Sequence, residues 1–229
     1  GKVGLELPGE KPGLIPDPKW KRKALKQPWH QGETLIASMG QGYVLATPLQ
    51  LAVMTARLAS GKAIQPHMLK SIEGQFNETT EWPAIDVTPE NLATVLKGMN
   101  AVTNVPGGSG YRARINVPGM EMAGKSGSAQ VRRISMAERN SGVIKNENLP
   151  WRERDHALFV AFAPVQAPRY ACAVIVEHGG GGGAVAAPIA RDILLECQML
   201  DAARATVAQQ PPPSTDTSPV PPPAEGGTP

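Results

Sequence analysis

The stretch Ala123-Gly124-Lys125-Ser126-Gly127-Ser128-Ala129-Gln130-Val131 brings together one cation, two hydroxyls two residues apart, and glycines that admit close backbone approach. Side chains alternate along a strand, so in a strand Ser126 and Ser128 share one face while Lys125 sits on the other side of the pleat. An anion laid along such a strand edge meets hydroxyl donors, backbone N–H groups and a positive charge together. The same letters also suit an idle, polar, glycine-rich turn, and residue types alone do not separate the two. The decision comes from the flanking sequence.

Downstream, residues 132–155 are polar and charged without a clear period and read as a long surface excursion with room for a short helical turn. Two apolar runs follow, 157–163 and 170–177. The connector 164–169 is too short for a crossover helix, so the runs are expected to pair as an antiparallel hairpin. A five-glycine run at 179–183 leads to Pro188, which opens a last helix with Ile189, Ile193, Leu194 and Cys197 as its expected buried face. From about Thr206 the chain is rich in Pro, Ser, Thr, Ala and Gly. Such a tail buries too little apolar surface to offset its ordering entropy and is expected to be disordered.

Upstream, Thr47-Pro48-Leu49-Gln50 combines an N-cap, a first-turn proline and the glutamine of a capping box. The helix it starts is apolar nearly all round, which predicts burial on most sides, and Gly61 is its expected stop. Gly40-Gln41-Gly42 reads as a flexible loop before it. Thr88-Pro89 repeats the cap, and Leu92, Val95, Leu96, Met99 and Val102 then form one apolar stripe. Pro106-Gly107-Gly108-Ser109-Gly110 is a loop. Residues 1–30 hold five prolines and read as extended, with Lys19, Lys21, Arg22, Lys23 and Lys26 as a solvated basic face or a contact for an anionic polymer or membrane surface. The expected fold is α+β: an antiparallel sheet with helices packed on it, residues 1–205 forming one domain and 206–229 the tail.

Composition agrees with a globular chain. Of 229 residues, 41% are hydrophobic and 19% charged, and the net charge of +3 is too small to mark a nucleic-acid surface. No window approaches the roughly 18 apolar residues of a membrane span. Gly1-Lys2-Val3-Gly4-Leu5 reads like the middle of a domain, so an upstream portion is expected. Cys172 and Cys197 lie in apolar segments and read as buried thiols, with a single bridge between them left open.

Rival chemistries share these residues. The run from Gly119 through Gly124-Lys125-Ser126 satisfies the phosphate-loop pattern GxxxxGK[ST], but Gly-Ser-Ala-Gln-Val after Ser126 starts a strand better than a helix. Glu121 would also face phosphate oxygens, and the hairpin contradicts a parallel βαβ sheet. His178 before glycines imitates a lipase oxyanion loop, yet no Gly-x-Ser-x-Gly occurs. His30, His67, His156 and His178 are scattered, show no metal-ligand spacing and read as surface or partly packed residues. Trp29, Trp82 and Trp151 read as local packing anchors before sugar-stacking platforms. No cofactor and no metal is expected.

Several collinear segments resemble the class B penicillin-binding proteins in their elongation-type branch. They are Gly4-Leu5-Glu6-Leu7-Pro8-Gly9-Glu10, Gly13-Leu14-Ile15-Pro16-Asp17, Pro28-Trp29-His30-Gln31-Gly32-Glu33-Thr34, Met39-Gly40-Gln41-Gly42-Tyr43 and Ala46-Thr47-Pro48-Leu49-Gln50. With them go the Lys125 stretch itself, the run from Arg154-Asp155-His156 to Ala163-Pro164, and the glycines after Glu177. The resemblance covers almost everything before the tail. It implies that Lys125, Ser126 and Gly127 are the third active-site motif of the penicilloyl-serine enzymes, on a strand bordering the cleft. Lys125 is then expected to supply positive potential, Ser126 and Ser128 to hydrogen-bond the donor peptide's carboxylate or that of a β-lactam, and the Ser128 N–H to form one arm of the oxyanion hole. Ser128 stands where Thr is commoner.

The implied reaction is D,D-transpeptidation of peptidoglycan through an acyl-serine. Its implied partners are stem peptides, β-lactams, a membrane glycosyltransferase and other elongation proteins, at the periplasmic face of the bacterial inner membrane. No serine here has a lysine three positions on, and there is no Ser-x-Asn, so the first two motifs are absent from residues 1–229. The expectation is the C-terminal part of a transpeptidase domain without its nucleophile. A non-catalytic scaffold module of the elongation machinery and a phosphate-loop NTP-binding protein are the alternatives.

Overall fold

The computed structural model describes residues 1–5, 8–69, 71–73, 75–76 and 81–209. In chain order they form α1 (Pro18–Leu25), α2 (Gln31–Ser38), α3 (Pro48–Ser60), a small hairpin of β1 (Ser71–Ile72) and β2 (Gln75–Phe76), and α4 (Pro89–Asn104). Then come β3 (Ala123–Ala129), α5 (Met136–Ser141), β4 (His156–Ala163), β5 (Tyr170–Val176), a π-helical turn Gly182–Ala186, and α6 (Ala187–Gln209).

The main sheet is antiparallel throughout, in the order β3-β4-β5. Its register sets two faces. Ala157, Phe159, Ala161 and Ala163 point to one side and are fully buried with Met122, Ala113, Ile115 and the α6 residues Ala187, Ala190 and Leu194. Phe162 and Ala123, opposite each other, point to the other side and pack with Met99 of α4 and Leu58 and Ala59 of α3. The sheet is therefore covered on both faces, α6 on one and α3 with α4 on the other. With only three Phe in the chain, two of them, Phe159 and Phe162, anchor the two halves of the core.

The caps at Thr47 and Thr88 form as the sequence dictates. Each hydroxyl accepts from the N–H three residues on, Gln50 closes its capping box, and Gly61 ends α3 at φ 68°. Four expectations need correction. Residues 1–30 are not wholly extended: Asp17 caps α1 by accepting from the Trp20 N–H at 2.6 Å, with Pro18 at the first helical position. The basic run is not simply a solvated face, because Lys21 is buried and its ammonium donates to Glu33 at 2.5 Å. On α6, Ile189 and Ile193 are 42% and 45% exposed, while the small residues Ala187 and Ala190 turn inward with Leu194 and Gln198. The reason is phase: the helix starts from the turn at 182–186, whose backbone approach to β4 brings small residues inward. Finally, Val95 on α4 is exposed, and on α3 only Val53 and Thr55 are buried, so neither helix is enclosed as widely as its apolar content suggests.

The hairpin of β1 and β2 is a further element that the sequence did not announce. Helix α6 continues through Gln209; the remainder of the proline-rich tail, 210–229, lies outside the described residues. Both cysteines are free thiols, which leaves no bridge between Cys172 and Cys197. Among the described residues, no helix is long and apolar enough to cross a membrane.

Candidate active site

The candidate residues Lys125, Ser126, Gly127 and Ser128 all lie within β3, the edge strand of the main sheet, paired through the strand to Val160, Phe159, Leu158 and Ala157. Because opposed residues in an antiparallel pair share a face, Ser126 and Ser128 lie on the Phe159 side and Lys125 on the Phe162 side. Lys125 and Ser128 are exposed and Ser126 and Gly127 half-buried. A phosphate loop needs its Lys-Ser at a helix N-terminus facing the anion; here both residues are inside a strand, which excludes that arrangement.

Segments spread from Gln41 to Gly183 hold this strand. At its start, the buried Thr103 hydroxyl and the Asn104 amide of α4 both donate to the Met122 carbonyl, at 2.6 and 2.9 Å. Beside it, the loop of residues 106–110 closes back on α4 through the Gly110 N–H to the Val102 carbonyl, 3.0 Å, and presents Ser109 with its hydroxyl oxygen 2.8 Å from that of Ser126. At its far end, Gln41 from the turn after α2 donates to the Ser128 carbonyl at 3.3 Å.

Behind it lies the glycine run. A Cβ on Gly182 would fall 2.2 Å from the Leu158 carbonyl oxygen and 2.5 Å from that of Gly127, and one on Gly183 would overlap the Ser109 carbonyl. Gly124 has its own reason: a Cβ there would lie 2.5 Å from the Phe159 ring. Glycine is used at these places for close approach, not for turning.

The Lys125 ammonium donates to the Ser126 carbonyl at 2.8 Å, which curls an exposed, flexible cation over the strand it comes from. The site thus offers a positive charge, two hydroxyls and the N–H groups of an edge strand. Groups of these kinds are suited to receive an anion. Among the described residues, no three His, Cys, Asp or Glu side chains are grouped to hold a metal.

The histidines are less scattered than their spacing suggests. His156 and His178 meet with ring centroids 4.6 Å apart, and Trp151 makes a tilted contact with His178 at 4.4 Å. The His178 N–H donates to His156 Nδ1 at 2.9 Å, so that nitrogen is an acceptor. His178 adopts φ 56°, and the Gly180 N–H donates to the Asp155 carbonyl at 2.8 Å. The cluster fixes the path by which β5 enters the glycine run. Beyond β3, Arg132 grips Glu138 with two hydrogen bonds of 2.7 and 2.5 Å. That guanidinium, with the Ile144 N–H, lowers the Glu138 carboxyl to about 2. A groove of about 550 Å³ lies between the N-terminal segment and α3, with Leu14, Ile15, Leu45 and Met54 among its walls, and includes none of the candidate residues.

Ser109 and Gln41 are residues that sequence reasoning passed over. Each was read as part of a glycine-flanked loop, and no local pattern says what such a loop will touch.

Residues 1–195 match the penicillin binding protein transpeptidase domain, and the chain belongs to that family. It has penicillin-binding protein 2 among the solved structures it is similar to. It is 39% identical over 199 residues to the peptidoglycan D,D-transpeptidase MrdA of Haemophilus influenzae and 38% identical over 201 residues to that of Salmonella typhimurium, matches that take in 84% of this chain. Among solved structures it is similar to Pseudomonas aeruginosa penicillin-binding protein 2 in complex with WCK 5153, with TM-score 0.69, 40% identity, and 86% of this chain against 40% of that one. The Helicobacter pylori penicillin-binding protein 2 in complex with MreC gives TM-score 0.69 at 31% identity, covering 87% of this chain and 34% of that one. The chain spans about a third of the length of the curated relatives it matches, 30% and 31%.

Proposed function

We propose that residues 1–229 carry the substrate-gripping half of the active site of a peptidoglycan D,D-transpeptidase working in cell elongation at the periplasmic face of the inner membrane. The observation that carries this reading is the exposed Lys125-Ser126-Gly127-Ser128 edge of β3, in a chain whose relatives are named for that reaction. In the reaction, a serine supplied by an upstream Ser-x-x-Lys attacks the carbonyl of the terminal D-Ala-D-Ala bond. The C–N bond breaks, D-Ala leaves with the serine's proton, and an acyl ester remains. The amine of a neighbouring stem peptide then attacks that ester, forming the cross-link and returning the proton to the serine.

Lys125 attracts the donor's terminal carboxylate and supports the proton network. Ser126 and Ser128 hydrogen-bond the carboxylate, and the Ser128 N–H stabilises the oxyanion that develops only in the tetrahedral state. A β-lactam presents its own carboxylate to the same groups and is trapped at the ester stage. Other elongation-complex proteins, a membrane glycosyltransferase among them, are partners of the longer protein, as MreC is for the Helicobacter pylori relative.

A fluorescent penicillin tests this directly. The longer protein is expected to be labelled at a serine outside residues 1–229, and residues 1–229 alone to remain unlabelled. Lys125→Ala is expected to slow labelling of the longer protein by about 10²–10³-fold. Because the Ser-x-x-Lys and Ser-x-Asn motifs are absent from this chain, a non-catalytic scaffold role is the second reading. It is supported if the native polypeptide begins near Gly1 and binds no penicillin.

A further inference from the structure

The contact between Ser109 and Ser126 points to a role for a residue outside the Lys-Ser-Gly motif. The two hydroxyl oxygens lie 2.8 Å apart, although they are 17 residues apart in sequence and belong to different elements. A hydroxyl has one proton to give and two lone pairs to receive with. If Ser126 is to donate to an anion, its proton has to point outward, and its oxygen is then free to accept. Ser109 is the neighbour placed to fill that acceptor position.

Nothing about the loop that carries Ser109 is loose. The Gly108 N–H donates to the Val105 carbonyl at 3.0 Å, and the Gly110 N–H to the Val102 carbonyl at 3.0 Å. Gly110 is buried, where a Cβ would press the Phe159 ring at 3.2 Å. Gly183 lies so close to the Ser109 carbonyl that a Cβ there would overlap it. Phe159 is also the residue directly opposite Ser126 in the sheet. The loop and the strand are thus registered on the same ring, and the approach of the two hydroxyls follows from the packing beneath them.

We propose that Ser109 is a positioning residue: by donating to Ser126 it turns the Ser126 proton toward the substrate carboxylate, making a relay Ser109 O–H to Ser126 O–H to anion. Each hydrogen bond in such a chain polarises the next, and the last one is charge-assisted. Ser109 itself need not touch the substrate. Removing its hydroxyl leaves Ser126 in place but free to rotate its proton away, so the loss falls on recognition of the carboxylate. The inference rests on the proposed function, since it assumes that Ser126 receives that carboxylate.

The experiment uses the longer protein that contains the nucleophile, acylated by benzylpenicillin and by benzylpenicillin methyl ester. The readout is the ratio of the two second-order acylation rate constants. In Ser109→Ala this preference for the free carboxylate is expected to fall about tenfold, a size appropriate to one weakened charge-assisted bond. In Ser109→Thr, which restores the hydroxyl, it is expected to return to within about twofold of the starting value. An unchanged ratio in Ser109→Ala overturns the proposal, whether the two rates stay the same or drop together. An equal drop would mean that Ser109 only holds the loop. Failure of Ser109→Thr to restore the ratio would overturn it as well. If the unsubstituted protein is acylated by neither compound, the transpeptidase reading fails and takes this inference with it; if it is acylated normally and Ser109→Ala leaves the ratio unchanged, only the relay fails.

Discussion

Replacing Gly182 by alanine places a methyl carbon 2.2 Å from one backbone carbonyl and 2.5 Å from another. Neither of those atoms rotates away as a side chain does, so β3 and the turn at 182–186 are forced apart. The expected cost is about 1–3 kcal/mol of stability, read as a lower unfolding midpoint in urea. Because the atom pushed is the Gly127 carbonyl, penicillin labelling of the longer protein should also fall, by more than the stability loss explains. Gly179 offers a milder comparison, since its Cβ would meet the Val176 and Ala157 side chains at 2.9 and 3.2 Å.

Cys172 makes a second test at this scale. Burial pushes its thiol up to about 11 from an ordinary 9.0. The thiolate is the reactive form, so at pH 8 Cys172 should react with a disulfide reagent about a hundredfold more slowly than an unperturbed thiol. Full reactivity should appear only in denaturant. Cys172 and Cys197 are both half-buried, less enclosed than their apolar neighbours suggest, and the contact of Gly182 with Gly127, 55 positions apart, left no trace in either local sequence.

Among the elements, the segment from Gln130 to Ile144 is tied together by Glu138, which accepts from Arg132 and from the Ile144 N–H at 3.2 Å. Its carboxyl sits at about 2 in the folded chain against 4.5 unperturbed. A group whose folded value is depressed gives stability that is fully present above the unfolded value and is lost as pH falls through the folded one. The tie should therefore hold above pH 4.5 and be released toward pH 2. The Ile144 amide resonance should report this by titrating with a midpoint near 2, and in Arg132→Met that midpoint should rise. The Glu33 carboxyl is lowered too, first by the His30 N–H and then by the Lys21 ammonium. Release of α1 from α2 should accordingly occur on the acid side of the ordinary carboxylate range.

The helix starts show what an element reveals in advance. Thr47-Pro48 and Thr88-Pro89 are legible because an apolar period follows each cap. Asp17-Pro18 is the same device, but the charges of Lys19 to Lys26 hide the period behind it, and the buried partner of Lys21 comes 12 residues later at Glu33.

At the scale of the molecule, Phe159 ties the α6 layer to the strand. It is fully buried, faces Ser126, and its ring touches the space kept clear by Gly124 and Gly110. Phe159→Ala should cost about 3–5 kcal/mol, measurable by urea unfolding. Of the surviving folded molecules, a larger share should have lost the contact between Ser109 and Ser126.

The pairing of β4 with β5 could be read from two apolar runs and a connector of six residues. The inward face of α6 could not, because helix phase is set by the turn at 182–186 and not by hydrophobicity, which misdirects attention to Ile189 and Ile193. The same holds for the site: the Lys125 stretch declares itself, while the residues that hold it are spread from Gln41 to Gly183.

That spread has a consequence for the order in which the protein is made. When Lys125 through Ser128 have just been translated, the strand that pairs with them is still some thirty residues from being made, and the glycine that backs them more than fifty. A nascent chain stopped before residue 156 holds the motif and its contacts with Gln41, Thr103, Asn104 and Ser109, but neither the strand it pairs with nor the glycine behind it. Pulse proteolysis of truncated chains released from the ribosome should find the 123–129 segment cut readily in products ending near residue 155. Protection should begin with products that reach residue 176 and become complete only in those that include the turn at 182–186 and the first turns of α6.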